Sequence, residues 1–223
     1  MTERATRGVT GRGPDGRSTD IASGLGAPAW LAAALSHCPI CGGVLEMREV
    51  PGEERERLVC ATCGHIAYVN PRLVVTAIPV TAAGEVVLLR RGIEPGRGLW
   101  APPGGFLEVD ETPTEAAARE TLEEIGLVIE PGEIIGLYAR LEAAIVVLAY
   151  EARIVGGELR TSPEALEVRT FRPEAIPWPE IAFKTMWFAL ADWLGRRRPD
   201  LPAPSGARWE RGPDALAPGS HAR

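Results

Sequence analysis

The sequence predicts an α/β (α+β) chain in which helices sandwich a mixed sheet, preceded by a small separate module that bears all the cysteines. Three observations carry that expectation. Four cysteines crowd into residues 38–63 of a 223-residue chain. From Asn70 onward, short apolar runs alternate with Gly and Pro turns, as strands do. Two segments of helical periodicity, one after Thr112 and one from Phe183, supply the covering layers.

The length is about one and a half times the ~150 residues of a typical domain, so one domain with a small companion and tails is expected. The divisions fall at residues 1–33 for a disordered N-terminal tail, 34–69 for the cysteine module, 70–195 for the main domain and 196–223 for a disordered C-terminal tail. Residues 1–30 carry Gly, Arg and Thr with almost no aliphatic pattern, so burial cannot offset their ordering entropy. From Arg196 onward, with Arg197, Arg198, Pro199, Pro202 and Pro204, neither a period of 2 nor one of 3.6 is present, and the arginines read as solvated.

Lys and Arg number 24 against 30 Asp and Glu, a net charge of −6, which excludes bulk attraction to phosphate backbones and makes nucleic acid an unfavoured partner. The longest apolar runs, 73–80 and 143–150, fall well short of the ~18–20 residues that cross a bilayer, so no membrane role is expected. No charged start leads directly into an apolar run, and a cytoplasmic location follows.

The cysteines stand as Cys38-Pro-Ile-Cys41, eighteen residues, then Cys60-Ala-Thr-Cys63. Two C-x2-C knuckles offer four thiolates to one tetrahedral Zn2+, and Gly42 and Gly64 suit the turns whose amides point back at sulfur. Between the knuckles, 44–50 and 56–59 flank a charged tip at 51–54, which gives a hairpin and hence a zinc ribbon. So small a module buries too little apolar surface to fold alone, and the metal supplies its stability. His37 and His65 adjoin cysteines but are superfluous beside four thiolates. The ribbon has few spare Lys or Arg, so a structural or dimer-forming role is favoured over a nucleic-acid finger, and a homodimer is compatible with it.

In the main domain, 73–80 reads as a buried strand, 81–84 as a turn and 85–91 as the antiparallel partner. After the loop 92–98 comes a segment with Gly104 and Gly105, then a helix with clear punctuation. Thr112 is the N-cap, Pro113 stands at N1, Glu115 at N3 completes a capping box, and Gly126 stops the helix. At 100° per residue, Glu120, Glu123 and Glu124 share one wedge, while Ala118, Thr121, Leu122 and Ile125 take the other side as core. Clustered carboxylates repel, and a hard divalent cation, Mg2+ or Mn2+, balances them more fully than Arg119, which can pair with Glu115 or Glu123. A close-approaching carbonyl at Gly104 could add a neutral oxygen.

The run Gly105-x5-Glu111-x7-Arg119-Glu120-Thr121-x-Glu123-Glu124-x-Gly126-Leu127 resembles the Nudix box, G-x5-E-x7-R-E-U-x-E-E-x-G-U with U aliphatic. All seven fixed positions match, and at these residue frequencies a chance match is on the order of 1 in 10^4 to 10^5. Thr121 alone departs, at an aliphatic position. The resemblance implies a Nudix α/β/α sandwich that hydrolyses a nucleoside diphosphate linked to another moiety, a dinucleotide or nucleotide sugar. It implies Glu120, Glu123 and Glu124, with the Gly104 carbonyl, as ligands of Mg2+ or Mn2+, and Glu111 and Arg119 as groups that orient loop and helix. The general base differs among Nudix families, being a box glutamate or one on a later loop, where Glu164 and Glu167 are the candidates.

After the box, 134–137, 145–154 and 168–171 read as strands and 183–194 as a closing amphipathic helix. Trp100, Phe106, Tyr150 and Trp187 could stack on a base, although core burial is the commoner fate of such residues. Arg90 and Arg91, at a strand end, are candidates to meet phosphate. Over residues 36–195 the motif order resembles zinc-ribbon Nudix proteins of the plant plastid FAD and ADP-ribose pyrophosphatase type, which implies FAD or ADP-ribose as substrate and AMP as product. The NADH pyrophosphatase and NAD-cap-removing type is the alternative, but its Ser-Gln-Pro-Trp-Pro-Phe-Pro signature is missing from residues 133–140. A non-catalytic nucleotide-sensing or regulatory module is the third possibility, against which the intact box speaks.

Overall fold

The computed structural model describes residues 35–201, with positions 31 and 204, in two compact units. The tails expected at 1–33 and over most of 196–223 lie outside the described residues. No helix among the described residues is long and apolar enough to cross a membrane.

The first unit runs through Asn70 and contains a three-stranded antiparallel sheet: β1 (Leu45–Arg48), β2 (Arg57–Cys60) and β3 (Ile66–Ala67), in that order. The hairpin forms where alternation predicts it, with Leu45 facing Cys60 and Arg48 facing Arg57. Leu45, Leu58, Cys38 and Cys60 make its small core. The charged tip is closed by the Glu53 amide on Val50 O, at 3.0 Å, and Tyr68 Oη donates to Glu53 at 3.0 Å.

The second unit is a mixed sheet between two helices. Its strands are β4 (Arg72–Val80), β5 (Val86–Arg91), β6 (Trp100–Ala101), β7 (Gly104–Phe106), β8 (Leu127–Arg140), β9 (Ile145–Gly157) and β10 (Ala165–Phe171). The main order is β10-β5-β4-β9-β8, with β6 paired to β5 and β7 to β4. The β4–β9 pairing is parallel and the others are antiparallel, so the sheet is mixed as expected. Helix α1 (Pro113–Ile125) packs through Ala116, Ala117 and Ile125 on Val75, Ala77, Val87 and Leu89. Helix α2 (Lys184–Arg197) covers the opposite face, where Met186, Leu190 and Trp193 meet Ile78, Val86 and Leu88. Strict alternation along β4 and β5 thus feeds both cores.

Several boundaries differ from expectation for identifiable reasons. Strand β8 covers fourteen residues, not four, because register shifts around residues 128–136 absorb Pro131, Gly132 and Glu133, which interrupt the sequence pattern. Helix α2 continues to Arg197, so the second tail begins later than position 196. Arg196 Nη1 donates to Ile134 O at 2.9 Å, Arg197 pairs with Glu151, and Arg198 pairs with Glu174 at 2.7 Å and Asp200 at 2.8 Å. Arg196 and Arg197 fasten the helix end to the sheet, and Arg198 ties it to the turn at Glu174, instead of being idly solvated. A cavity of about 660 Å³ opens beside Val80, Gly84, Ala152 and Trp193, near that helix end.

Candidate functional site

In the cysteine module, backbone turns do most of the positioning. Gly42 and Gly64 take left-handed φ values of 73° and 75°, and their amides bond Cys38 O at 2.9 Å and Cys60 O at 3.0 Å. The amides of Ile40, Thr62 and Cys63 point at the Cys38 and Cys60 sulfurs at 3.4 Å. Cys38 Sγ lies 3.7 Å from Cys63 Sγ, and Cys41 Sγ lies 3.5 Å from Cys60 Sγ. Among the described residues, this quartet is the group of three or more metal-ligating side chains whose donor atoms converge, all within 4.8 Å. His37 and His65 do not belong to it. The Cys63 and Thr62 amides hold the Cys60 thiol down to about 6, which favours the thiolate that a metal takes.

In the second unit, the glycine segment and α1 form one construction. Strand β7 pairs with β4, Gly105 opposite Val75 and Gly104 opposite Thr76. Ala77 N donates to Pro103 O at 3.1 Å, and Leu107 N donates to Leu73 O at 3.0 Å. Antiparallel alternation therefore turns the Gly104 amide and carbonyl away from β4. That amide donates to Glu124 Oε2 at 2.9 Å. A Cβ on Gly104 would overlap the β4 backbone, so that position is held glycine by close approach, whereas one on Gly105 would meet the movable Glu120 carboxylate. Thr76, fully buried, adds a 2.7 Å hydrogen bond from Oγ1 to Pro103 O. Sequence reading missed it, although a lone hydroxyl in the apolar run 73–80 was the available signal.

Helix α1 begins and ends as predicted. Thr112 Oγ1 accepts from Glu115 N at 3.3 Å, Glu115 Oε2 accepts from Thr112 N at 2.8 Å, and Gly126 caps with φ 78°. The helix is rotated relative to the expected wheel. Leu122 is exposed while Glu124 is buried, because the face centred on Ala117 and Thr121 meets the sheet. Burial pushes the Glu124 carboxyl up to about 8 and also raises Glu120. Thr121, the departure from the box, donates its hydroxyl to Ala117 O at 2.7 Å.

Arg119 takes neither of its expected roles alone. It clamps Glu111 bidentately, Nε to Oε2 at 2.9 Å and Nη2 to Oε1 at 2.6 Å. Its Nη1 also reaches Glu120 at 2.7 Å and Glu123 at 3.3 Å, and its Nη2 reaches Phe106 O at 3.3 Å. Glu115 is not among its partners, being engaged in the capping box. The Arg119 hydrogen bonds and the Glu108 amide hold Glu111 down to about 2. The box arginine thus ties the loop before α1 to the helix itself.

Around this centre the remaining candidates separate. Arg91, which shares a face with Leu89, turns to the α1 side; burial lowers its pKa, while Glu124, Glu164 and Glu94 counter that effect. Arg90 turns to the other side, donates to Gly98 O at 2.8 Å and lies 3.7 Å from Glu167. Glu164 is in the loop before β10, where its carbonyl accepts from Gly92 N at 2.7 Å, and its charge is felt by Glu120 and Glu124. Glu167 is on strand β10, not on a loop, and pairs with Arg90 and Arg169. Trp100 is buried edge-on against Phe171 at 5.0 Å, and Tyr150 and Trp187 are buried too, so the structure reserves them for the cores. Phe106 is 40% exposed beside Arg72.

A ribbon of four convergent thiols followed by an α/β/α sandwich with an acidic helix defines a recognisable class. The Nudix N-terminal zinc-ribbon model matches residues 36–69, and the NUDIX domain model matches residues 70–209. The chain belongs to the NUDIX family. A solved NUDIX hydrolase from Nitrosomonas europaea is 35% identical, with a TM-score of 0.69, covering 75% of this chain and 95% of that one. An ADP-ribose pyrophosphatase from Methanocaldococcus jannaschii is 30% identical over 114 residues, 49% of this chain and 67% of the relative. An NAD-capped RNA hydrolase NudC from Stutzerimonas stutzeri is 31% identical over 170 residues, 74% of this chain and 59% of the relative.

Proposed function

We propose that the chain hydrolyses the pyrophosphate bond of a nucleoside diphosphate linked to another moiety, with FAD or ADP-ribose as substrate and AMP as a product. The observation that carries this reading is the buried Glu124, held by the Gly104 amide in the same acidic centre as Glu120, with Arg91 and Glu164 close enough to act on its charge. A buried carboxylate whose ordinary acidity is suppressed is a group in need of a cation. Glu120, Glu123 and Glu124 with the Gly104 carbonyl, an all-oxygen set, fit Mg2+ or Mn2+, and Cys38, Cys41, Cys60 and Cys63 fit structural Zn2+. When bound, the magnesium-class ion neutralises the pyrophosphate and lowers the pKa of water.

The protein groups divide the remaining work. Arg91 meets a phosphate oxygen from the α1 side of the sheet. Glu164, the outside candidate whose charge acts on the acidic centre, accepts a proton from the attacking water as an oxygen–phosphorus bond forms and the anhydride bond breaks. Arg119 and Glu111 keep the glycine segment and helix in register. Glu167, engaged by Arg90 and Arg169, is set aside as the base.

ADP-ribose is supported by the Methanocaldococcus relative and FAD by the order of sequence motifs. The NADH or NAD-cap reading is favoured by the longer alignment to NudC, over 74% of this chain, and opposed by residues 133–140. The test is product analysis of FAD, ADP-ribose, NADH and NAD-capped RNA with the full chain and Mg2+ or Mn2+. Release of AMP from FAD or ADP-ribose is expected. Preferential turnover of NADH or capped RNA would replace the substrate, and turnover of none would favour the regulatory module.

A further inference from the structure

Glu164 is held at both of its backbone polar groups, and each hold comes from a different element. Ser162, Pro163, Glu164 and Ala165 form a tight turn, in which Ala165 N donates to Ser162 O at 3.1 Å and Ser162 N donates to Ala165 O at 3.2 Å. Serine first and proline second are residues that such a turn favours. Ser162 Oγ accepts from Glu164 N at 3.3 Å and from Ala165 N at 3.2 Å, so the hydroxyl closes the turn from inside. The Glu164 carbonyl accepts from the buried Gly92 amide at 2.7 Å. A Cβ on Gly92 would run into Pro163 O, so β5 and the turn approach this closely only because that position is glycine.

The turn is also fastened to the elements that carry the rest of the acidic centre. Upstream, Arg160 N donates to Ile125 O at 3.0 Å and Arg160 Nη2 donates to Leu122 O at 3.1 Å, which ties the segment to the C-terminal end of α1. Downstream, Ala165 is fully buried in the core beneath α1 and stands opposite Arg91. The register shifts between Ala165 and Glu167, so Leu166 bulges and these two residues face opposite sides of the sheet, Ala165 towards α1 and Glu167 towards Arg90. Glu164 alone is thereby left on the side where its charge acts on Glu120, Glu124 and Arg91.

An exposed carboxylate on an unbonded loop samples many positions, whereas one whose N–H and C=O are both engaged leaves a fixed Cα. A general base depends on that difference, because it must stand within hydrogen-bond reach of the proton it takes, and a misplacement of about 1 Å can cost about 10^2-fold in rate. We propose that Ser162 is a positioning residue for Glu164: its hydroxyl, working against the Gly92 amide, fixes the turn so that the Glu164 carboxylate meets the attacking water beside Arg91. This rests on the hydrolase reading, in which Glu164 takes the proton, and adds the residue that keeps the base in place.

The test is steady-state kinetics of the full chain with Mg2+ on ADP-ribose and on FAD. Ser162→Ala should lower kcat about tenfold with KM changed less than about twofold, and Ser162→Thr, which keeps the hydroxyl, should restore kcat to within about threefold of wild type. Glu164→Gln should lower kcat about 10^2-fold or more, and adding Ser162→Ala to it should cost nothing further, since the hydroxyl acts only through that carboxylate. An unchanged kcat in Ser162→Ala, a loss carried in KM, no rescue by threonine, or an equal loss with and without Glu164→Gln would overturn the positioning role and leave the hydrolase reading standing. Undiminished turnover by Glu164→Gln would remove the base from that reading and the role of Ser162 with it, and a wild type that cleaves neither nucleotide would overturn both.

Discussion

The ribbon and the acidic helix each gather candidate metal ligands, but they arrive at the donor set differently. In the ribbon, short side chains leave tight turns, so backbone geometry alone brings four sulfurs within 4.8 Å of one another. On α1, long glutamate side chains leave a straight helix, and Arg119 holds Glu120 and Glu123 where the ribbon has nothing but its own turns. A thiolate site is therefore prepared by the chain's path. The carboxylate site proposed on α1 is instead held by partners, with one guanidinium compensating charge that a divalent ion would take over.

The difference is broken most sharply at Glu123. Its side chain is 60% exposed and accepts only a long bond from Arg119, so Glu123→Gln should leave the fold and melting temperature unchanged. Turnover should nevertheless fall about 10^2–10^3-fold, the scale seen when one electrostatic stabiliser of a transition state is removed. Steady-state kinetics beside a thermal melt make the check, and undiminished turnover would place the chemistry elsewhere.

Cys60→Ser acts on the other region. Its sulfur is buried and accepts two amides, and a structural zinc site contributes about 10–16 kcal/mol of apparent binding energy at neutral pH. The variant should lose bound zinc and the hydrogen-exchange protection of β1 to β3, while β4 to β10 keep theirs. Retained protection in the ribbon would mean that its small core suffices without metal.

Much of this was legible in the sequence wherever spacing fixes geometry. The knuckles, the capping box, the Gly126 stop and the order of the glycine segment and acidic helix follow from local rules. Features that depend on a distant element were not legible. Arg119 chooses Glu111, eight residues back, only because the loop folds onto the helix. Glu124 is assigned to a solvated face by any wheel that treats charge as exterior, yet the sheet covers it. Trp100 and Arg90 are placed by the β5–β6 register, and Glu164 separates from Glu167 only once β10 pairs with β5. Arg196 and Arg197 look like a tail until the carbonyls of Ile134 and Ile135 and the Glu151 carboxylate come within their reach.

Burial of Glu124 sharpens the comparison through pH. Its carboxyl titrates near 8 in the folded, metal-free chain against an ordinary 4.5, so the folded state holds the extra proton between those values. Stability should accordingly be fully present below about pH 4.5 and decline as pH rises towards 8, by several kcal/mol at most. Saturating Mg2+ should flatten the decline, and Glu124→Gln should remove most of it, leaving the smaller contribution of Glu120. Chemical denaturation at stepped pH in the presence of a chelator reads all three, and a metal-free stability rising over that window would contradict the buried charge.

The smallest effect concerns Thr121, where the box departs from its aliphatic pattern. The hydroxyl bonds Ala117 O, the carbonyl that the Thr121 amide already engages in a helix of regular i to i−4 bonding, so removing the hydroxyl orphans no acceptor. Thr121→Val exchanges a buried, internally satisfied hydroxyl for a methyl of similar size against Ala117 and the sheet. The expected gain is about 0–1 kcal/mol, read as a slight rise in melting temperature with kcat and KM unchanged. The insensitivity matters for the comparison: the acidic centre is held by Arg119, Gly104 and Gly105 on the opposite flank of α1, and packing beneath Thr121 should not reach it. A marked change in metal affinity on Thr121→Val would instead show that the carboxylates are aligned from the core side.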